Sequence, residues 1–285
     1  MSNLAKLSGE FIKVTSPEPH VLLVELARAP VNAFHKPFWF EYRRVFEDIS
    51  REPDVRVVVL ASAFPKLFSA GIDFAALGEW QTFDKDIARR GYQLRESTLA
   101  FQECIGAPER CPSPVIAAVH GVAYGLSIDI IAACDVRYAA SNAVFSIKEV
   151  DVGLAADIGT LARLPKLAGN QSLVHELAYT TRNFSAQEAE KMGLLSKVVQ
   201  GGRDEVVKAA LDTAKVIAAK SPIAVIGTKR VLQHARDHTV QQNLEYVATW
   251  NTAMLQSIDL IDALHAAKTK TQPSFKPLRK AASKL

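Results

Sequence analysis

Two stretches constrain what this chain can fold into more than any others. Residues 55–61 (VRVVVLA) and 115–119 (VIAAV) are apolar along most of their length, not on alternate positions. A strand that is apolar on both sides has to be covered on both sides, which is the situation of a parallel sheet with helices crossing over its faces. Around these runs, strand-like and helix-like segments alternate. Residues 11–26 read as two strands joined by a turn near Pro17 and Pro19. Residues 36–50 carry Phe38, Tyr42, Val45, Phe46 and Ile49 at helical spacing. Residues 62–71 read as a loop, 83–107 as mostly helical and 126–134 as a helix. VRYAA (136–140) and AVFSI (143–147) read as short strands. The recurrence of strand followed by helix predicts an α/β layer architecture, and no repeat of solenoid length is present.

Past Thr160 the pattern turns helical, over 169–192, 204–220 and one or two long amphipathic helices within 222–265. Val240, Leu244, Val247 and Trp250 fall on apolar faces that require cover, which another subunit could supply. The expected organisation is a core domain over 1–205, a helical region over 206–272 and a basic tail over 273–285.

Composition narrows the function classes. With 285 residues, 48% hydrophobic and 22% charged, the chain has the balance of a soluble globular protein and not of a disordered one. Its 34 basic and 30 acidic residues leave a net charge of +4, too mild for a nucleic-acid binder. The five Lys and Arg residues from Thr269 onward read as a solvated basic end. Cys104, Cys111 and Cys134 include no C-x-x-C pair and read as small core residues, with no metal site implied. The longest apolar stretch, 114–133, is interrupted by His120 and Asp129, so no membrane span is expected. The first residues lack the pattern of a signal or transit peptide. The last three, Ser283, Lys284 and Leu285, form a peroxisomal address, implying an import receptor as a partner and the peroxisome as the location.

Several familiar sites are absent, among them G-x-x-x-x-G-K-[ST], G-x-G-x-x-G and H-E-x-x-H. Gly125-Leu126-Ser127-Ile128-Asp129 resembles a nucleophile elbow until its last residue, where Asp replaces the Gly that a tight turn needs. More informative are two glycine turns, each at the end of a buried strand: Ser69-Ala70-Gly71-Ile72-Asp73 and His120 through Leu126. Backbone N–H groups leaving a strand there have no ladder partner, and two of them facing one another would make an oxyanion hole. Either turn alone reads as a plain α/β connection; the two taken as a pair fit a plain connection and an oxyanion hole equally well. Three acids stand in apolar settings: Asp129 one turn into IDIIAACD, Glu149 at the end of VFSIKE, and Asp157 between Ala156 and Ile158. An acid so placed is paired, hydrogen-bonded or shifted in pKa, and three together suggest proton transfer. The structural alternative is an ion pair or a cap, with Asp157 capping a helix opening near Gly159. Asp135 and Asp151 read better that way.

RAPVNAF (28–34), FSAGIDF (68–74), PVIAAVHGVAYGLSIDIIAACDVRYA (114–139) and NFSAQEAEKMGLLSKVV (183–199) resemble the crotonase, or enoyl-CoA hydratase/isomerase, superfamily, in order from Phe11 to about His265. The resemblance implies a crotonase (ClpP-like) α/β fold of repeated ββα units, with a C-terminal helical trimerisation region, assembled as trimers or hexamers. IKEVDVGLAADIGTLARLPKLAGN (147–170) is similar to the Δ3,5-Δ2,4-dienoyl-CoA isomerases, which carry acids matching Asp129, Glu149 and Asp157. The implied substrate is an acyl-CoA thioester, with coenzyme A part of that substrate and no separate cofactor. Its carbonyl oxygen would sit between the N–H groups of Ile72 and Leu126. Arg28, Ala29, Ser69, Ala70, Gly71 and Gly125 match the substrate- and CoA-binding positions. The implied reaction moves a proton from C2 to C6 of a 3,5-dienoyl thioester, with Glu149 and Asp157 as base and acid and Asp129 as a third acid. The chain departs from the usual Gly-Gly-Gly run at Leu126-Ser127. Two other readings stand beside this one: a 2-enoyl-CoA hydratase using Asp129 and Glu149, and a non-catalytic crotonase-fold binding protein.

Overall fold

A computed structural model of the chain describes residues 6–75, 78 and 83–279. Two sheets organise it. The larger has the order β1-β2-β3-β5-β7-β10, made of β1 (Ile12–Glu18), β2 (Val21–Leu26), β3 (Val57–Ser62), β5 (Val115–Val119), β7 (Val136–Ala140) and β10 (Lys197–Val199). The β1–β2 pair is antiparallel and every other neighbour is parallel. The smaller sheet has the order β4-β6-β8-β9, from β4 (Leu67–Ser69), β6 (Val122–Tyr124), β8 (Val144–Ser146) and β9 (Phe184–Ser185). Each central strand of the large sheet thus hands the chain to a short strand of the small one, β3 to β4, β5 to β6 and β7 to β8. A helical segment follows each pair, which is the expected ββα repeat.

The continuous apolar runs have the predicted cause. In β3, Val58 and Leu60 enter the main core while Val57, Val59 and Ala61 enter a second one on the opposite face. In β5 the same alternation sends Val115, Ala117 and Val119 one way and Ile116 and Ala118 the other. A period of two with both faces buried leaves no polar position. The main core is closed by α1 (Lys36–Arg51), α2 (Ile87–Ile105), α4 (Leu126–Ala132) and the small sheet; α3 (Ala107–Arg110) follows α2. The second core is closed by α8 (Arg203–Ala218), whose Val206, Val207, Ala210, Ala214 and Ala218 lie against the sheet.

Segments too short to show a hydrophobic period read as connections in the sequence and prove to be structured. Residues 62–71 contain β4, and the turn after Val119 contains β6. The strand expected to end at Glu149 stops at Ser146, and Glu149 instead opens a 3₁₀ turn, Glu149–Val152. The 169–192 segment divides into α6 (Gln171–Thr180), β9 and α7 (Ala186–Lys191), following α5 (Thr160–Leu167). After α8, where the sequence predicts one or two long helices within 222–265, the C-terminal region holds three among the described residues, α9 (Pro222–His234), α10 (Val240–Met254) and α11 (Ile258–Thr269), broken at the turns near 235–239 and 255–257. Its anchor is Lys229, whose buried ammonium pairs with Asp135 at 2.7 Å and donates to the carbonyls of Pro108 and Ser113. Asp135 also accepts the Val115 N–H, and Asp151 pairs with Lys148, so both acids are structural as read. The three cysteines are free and buried. Among the described residues no helix is long and apolar enough to cross a membrane.

One side chain fastens the strand ends. Asn32, fully buried, accepts the Arg28 N–H at 2.8 Å and donates its two amide hydrogens to the Ser62 hydroxyl and the Phe68 carbonyl at 2.8 and 2.9 Å, with the Leu26 carbonyl sharing them at 3.3 Å. It therefore ties the ends of β2, β3 and β4 in one place. An Asn32→Ala change strands several buried polar groups at about 1–3 kcal/mol each. The expected outcome is a loss of about 3–5 kcal/mol in unfolding free energy, read from the urea midpoint at unchanged m-value.

Candidate active site

The glycine turns come together where β4 and β6 pair side by side. Gly71 has φ +97°, and a Cβ placed on it would lie 2.8 Å from the Tyr124 carbonyl oxygen and 3.5 Å from the Leu126 nitrogen. Gly125 has φ +52°, so a side chain there would be strained even though the space is adequate. Both positions need glycine, and their closeness brings the Ile72 and Leu126 amides to one spot. Among the described residues, neither N–H meets a hydrogen-bond acceptor of the protein. Leu126 is the first residue of α4, so its amide is also one of the orphan donors at a helix start.

Neighbouring groups hold this geometry. The Ile72 strand is pinned on its other edge by the Phe34 N–H to the Gly71 carbonyl and the Asp73 N–H to the Phe34 carbonyl. Ser127, fully buried, donates its hydroxyl to the Ser69 carbonyl at 2.9 Å and thereby joins the second turn to the first. That bond occupies the hydroxyl of the failed nucleophile elbow. It also explains how the departure from a Gly-Gly-Gly run is accommodated. The Ser69 hydroxyl donates to the Asn32 carbonyl and accepts the Gly71 N–H.

A cleft of about 920 Å³, partly open to solvent, lies in front of these amides. Ala70, Gly71, Ile72, Gly125, Leu126, Asp129, Glu149 and Asp157 all line it, so the three acids and the two turns meet in one place. Arg28, Ala29 and Ser69 do not line it. Arg28 pairs with Asp73 at 2.9 Å and donates to the Ala33 carbonyl, which clamps the residue after Ile72. Ser283, Lys284 and Leu285 lie outside the described residues. Sequence reasoning missed Trp39 and Phe101, whose rings stack at 3.7 Å to form a cleft wall, and Lys148 beside Glu149. The only sequence signal for the two aromatics was their place on the apolar faces of α1 and α2.

The acids differ in environment. Asp129 is 1% exposed, and burial, followed by the like charge of Glu149, pushes its carboxyl up to about 7. Its Oδ1 accepts the Thr160 N–H at 2.6 Å, so it is Asp129 that caps α5, and Asp157 does not. Glu149 is raised by burial and by the neighbouring charge of Asp157, and its Oε2 is buried without a partner among the described residues. Its Oε1 would lie 3.5 Å from a Cβ on Gly125, beside the amide turn. Asp157 sits at the solvent rim, and partial burial of its carboxyl raises it as well. Three carboxyls raised above their ordinary values beside two unpaired amides suit proton transfer to and from a carbon acidified by a bound carbonyl.

A protein of this architecture and site is recognisable by comparison. The enoyl-CoA hydratase/isomerase family profile matches residues 17–277, and the chain belongs to that family. It is 48% identical over 262 residues to the mitochondrial Δ(3,5)-Δ(2,4)-dienoyl-CoA isomerase of Homo sapiens, spanning 91% of this chain and 79% of that one. It is 43% identical over 251 residues to the peroxisomal Δ(3,5)-Δ(2,4)-dienoyl-CoA isomerase of Arabidopsis thaliana, spanning 87% and 89%. Among solved structures, the enoyl-CoA hydratase of Bacillus anthracis superimposes with a TM-score of 0.84 at 29% identity, over 94% of this chain and 99% of that one. The resemblance to the crotonase superfamily and its fold is thereby borne out.

Two outcomes follow from the geometry. Proline is tolerated at the first position of a helix and lacks an N–H, so Leu126→Pro removes one donor of the amide pair. Turnover of an acyl-CoA substrate should fall about 10²–10³-fold in kcat. For Asp129, the folded protein retains a proton between the ordinary value of 3.8 and about 7 that the unfolded chain has lost. Stability therefore falls as pH rises through that window, by up to about 1.4 kcal/mol per unit, and levels off above it. Asp129→Asn keeps an acceptor for Thr160 and removes the charge. It should be about 2–4 kcal/mol more stable than the parent at pH 8, with the difference gone by pH 4, as measured by urea unfolding across pH.

Proposed function

We propose that the protein is a Δ3,5-Δ2,4-dienoyl-CoA isomerase of fatty acid β-oxidation. The observation that carries this reading is the convergence of Glu149, Asp157 and Asp129 on one cleft beside the Ile72 and Leu126 amides. The 43–48% identity to isomerases of that name supports it. Ala70, Gly71 and Gly125 shape the floor on which the thioester lies. Arg28, through its pair with Asp73, and Ser69, through its bonds to Asn32 and Gly71, hold the first turn in place, and with Ala29 they match the coenzyme A side of the family.

In this mechanism the thioester oxygen accepts both amide N–H groups, which acidifies C2. Glu149 adjoins the turn that grips the carbonyl, and C2 is bonded to that carbonyl carbon, so Glu149 takes the C2 proton. The C2–H pair becomes the C1=C2 bond of a dienolate while the C1=O pair moves onto the held oxygen. As the carbonyl re-forms, the C1=C2 pair becomes C2=C3, the C3=C4 pair moves to C4=C5, and the C5=C6 pair takes a proton from Asp157 at C6. Atoms and charge balance, and the product is the conjugated 2,4-dienoyl thioester. The cycle starts with Glu149 ionised and Asp157 protonated; burial raises both carboxyls above their ordinary values, and the like charge of Asp157 adds to the rise at Glu149, which disfavours ionising the two together. Asp129, held neutral below about pH 7, limits the negative charge facing the dienolate.

The apolar side chains left exposed on α10 and α11, among them Val240, Leu244, Ile261 and Leu264, support packing against further copies as a trimer or hexamer. The terminal Ser-Lys-Leu supports the peroxisome and its import receptor; of the isomerase relatives, the plant one is named peroxisomal and the human one mitochondrial.

The test uses a 3,5-dienoyl-CoA in D₂O, following conjugated 2,4-dienoyl absorbance and deuterium entry at C2, with 2-enoyl-CoA hydration run beside it. The parent should conjugate rapidly and hydrate little. Glu149→Gln should lose exchange and conjugation together, and Asp157→Asn should lose conjugation while retaining C2 exchange, each by about 10²-fold or more. Hydration without conjugation would assign the protein to the hydratases, and intact conjugation in Asp157→Asn would remove that acid from the reaction.

A further inference from the structure

Asp157 stands on an irregular segment, residues 153–159, between the 3₁₀ turn that carries Glu149 and the start of α5. The ends of the segment are fastened. The Leu154 N–H donates to the Glu149 carbonyl, and the Gly159 carbonyl accepts from Ala162 and Arg163. Between them, among the described residues, the hydrogen bond that reaches 155–158 comes from Gln102, whose Nε2 donates to the Asp157 carbonyl at 2.6 Å. The Asp157 carboxylate has no ion-pair partner among the described residues. Its neighbour Ile158 packs against the main core.

Gln102 is itself well placed to set a position. It follows Phe101 on α2, and Phe101 stacks on Trp39 of α1 at 3.7 Å with the rings 11° from parallel. That stack lines the catalytic cleft and fixes the register of α2 against α1. The donor amide is therefore carried by an element seated in the core, while the acid it holds rides on a loop. Glu149, by contrast, is positioned by the 3₁₀ turn and needs nothing from α2.

We infer that Gln102 is a positioning residue for the proposed isomerisation: through its hydrogen bond to the Asp157 carbonyl it sets where that acid meets the C6 end of the substrate. The inference rests on the isomerase reading above. It adds that the two proton transfers are supported from different elements and can be uncoupled. Loss of the Gln102 donor releases the backbone of residues 155–157, between the Leu154 bond and the seated Ile158, but leaves the two amides and Glu149 in place. A displacement of about 1 Å is enough to cost as much as 10²-fold in a proton transfer.

The experiment measures, on the full-length protein with a 3,5-dienoyl-CoA in D₂O, both C2 exchange and the rate of conjugation for the parent, Gln102→Leu and Gln102→Glu. Gln102→Leu should keep C2 exchange and KM within about twofold while conjugation falls about tenfold or more. Gln102→Glu has the same reach but donates only when its carboxyl is protonated, so its conjugation rate relative to the parent should recover as pH is lowered. A merely structural role would lower exchange and conjugation together and would give no such pH-dependent recovery. Equal loss of the two rates, or parental conjugation in both variants, overturns the inference while leaving the isomerase reading intact. Absence of conjugation in the parent overturns that reading and this inference with it.

Discussion

The site depends on a short chain of buried hydrogen bonds running from Asn32 through Ser69 to Ser127. Asn32 holds the ends of β2, β3 and β4, Ser69 returns a bond to the Asn32 backbone, and Ser127 at the start of α4 reaches the Ser69 carbonyl. All three side chains are fully buried, so each bond forms where water cannot substitute for it. Two turns from distant parts of the sequence are thereby held at one separation. The proposed oxyanion hole requires that fixed separation, because its donors stabilise charge only if they need not move when the charge appears.

The same economy governs the acids. Asp129 is costly to bury, and part of that cost is recovered by capping α5, whose first amide it accepts at 2.6 Å. A carboxyl raised to about 7 by burial weakens the fold as pH rises, which is the usual tension between stability and a reactive site. Glu149 has one oxygen beside the amide turn and the other buried without a partner among the described residues, an arrangement unfavourable in the free protein and suited to the proposed proton transfer. Asp157, at the rim, is held by its backbone instead of its side chain, which leaves the carboxyl free to act.

Much of this was legible in the residues. The apolar runs of β3 and β5 could fit only a sheet covered on both faces, and the helical spacing of α1 gave its extent to within a residue or two. Glycines at 71 and 125 marked the turns, and Asp129, Glu149 and Asp157 stood out because acids are rare in such surroundings. Other features were hidden for physical reasons. β4 and β6 are three residues long and exist because they pair with each other, not because of local preference. The 3₁₀ turn at Glu149 continues a segment whose composition suits a strand. Arg28 matched a binding position yet faces Asp73, since an ion pair between a strand end and a loop leaves no trace in one-dimensional spacing.

The sequence by itself determined the layer architecture, the location of the turns and which acids stand among apolar neighbours. Each follows from a local property: period, backbone permissiveness, or a charge among apolar neighbours. Only the tertiary structure decided which groups meet. Residues 32, 69 and 127 are bonded in space, Trp39 faces Phe101, and Gln102 reaches Asp157, because parallel strands and crossover helices bring together positions that the chain separates by tens of residues. Contacts of that kind depend on packing, and packing is fixed only when every element is in place at once.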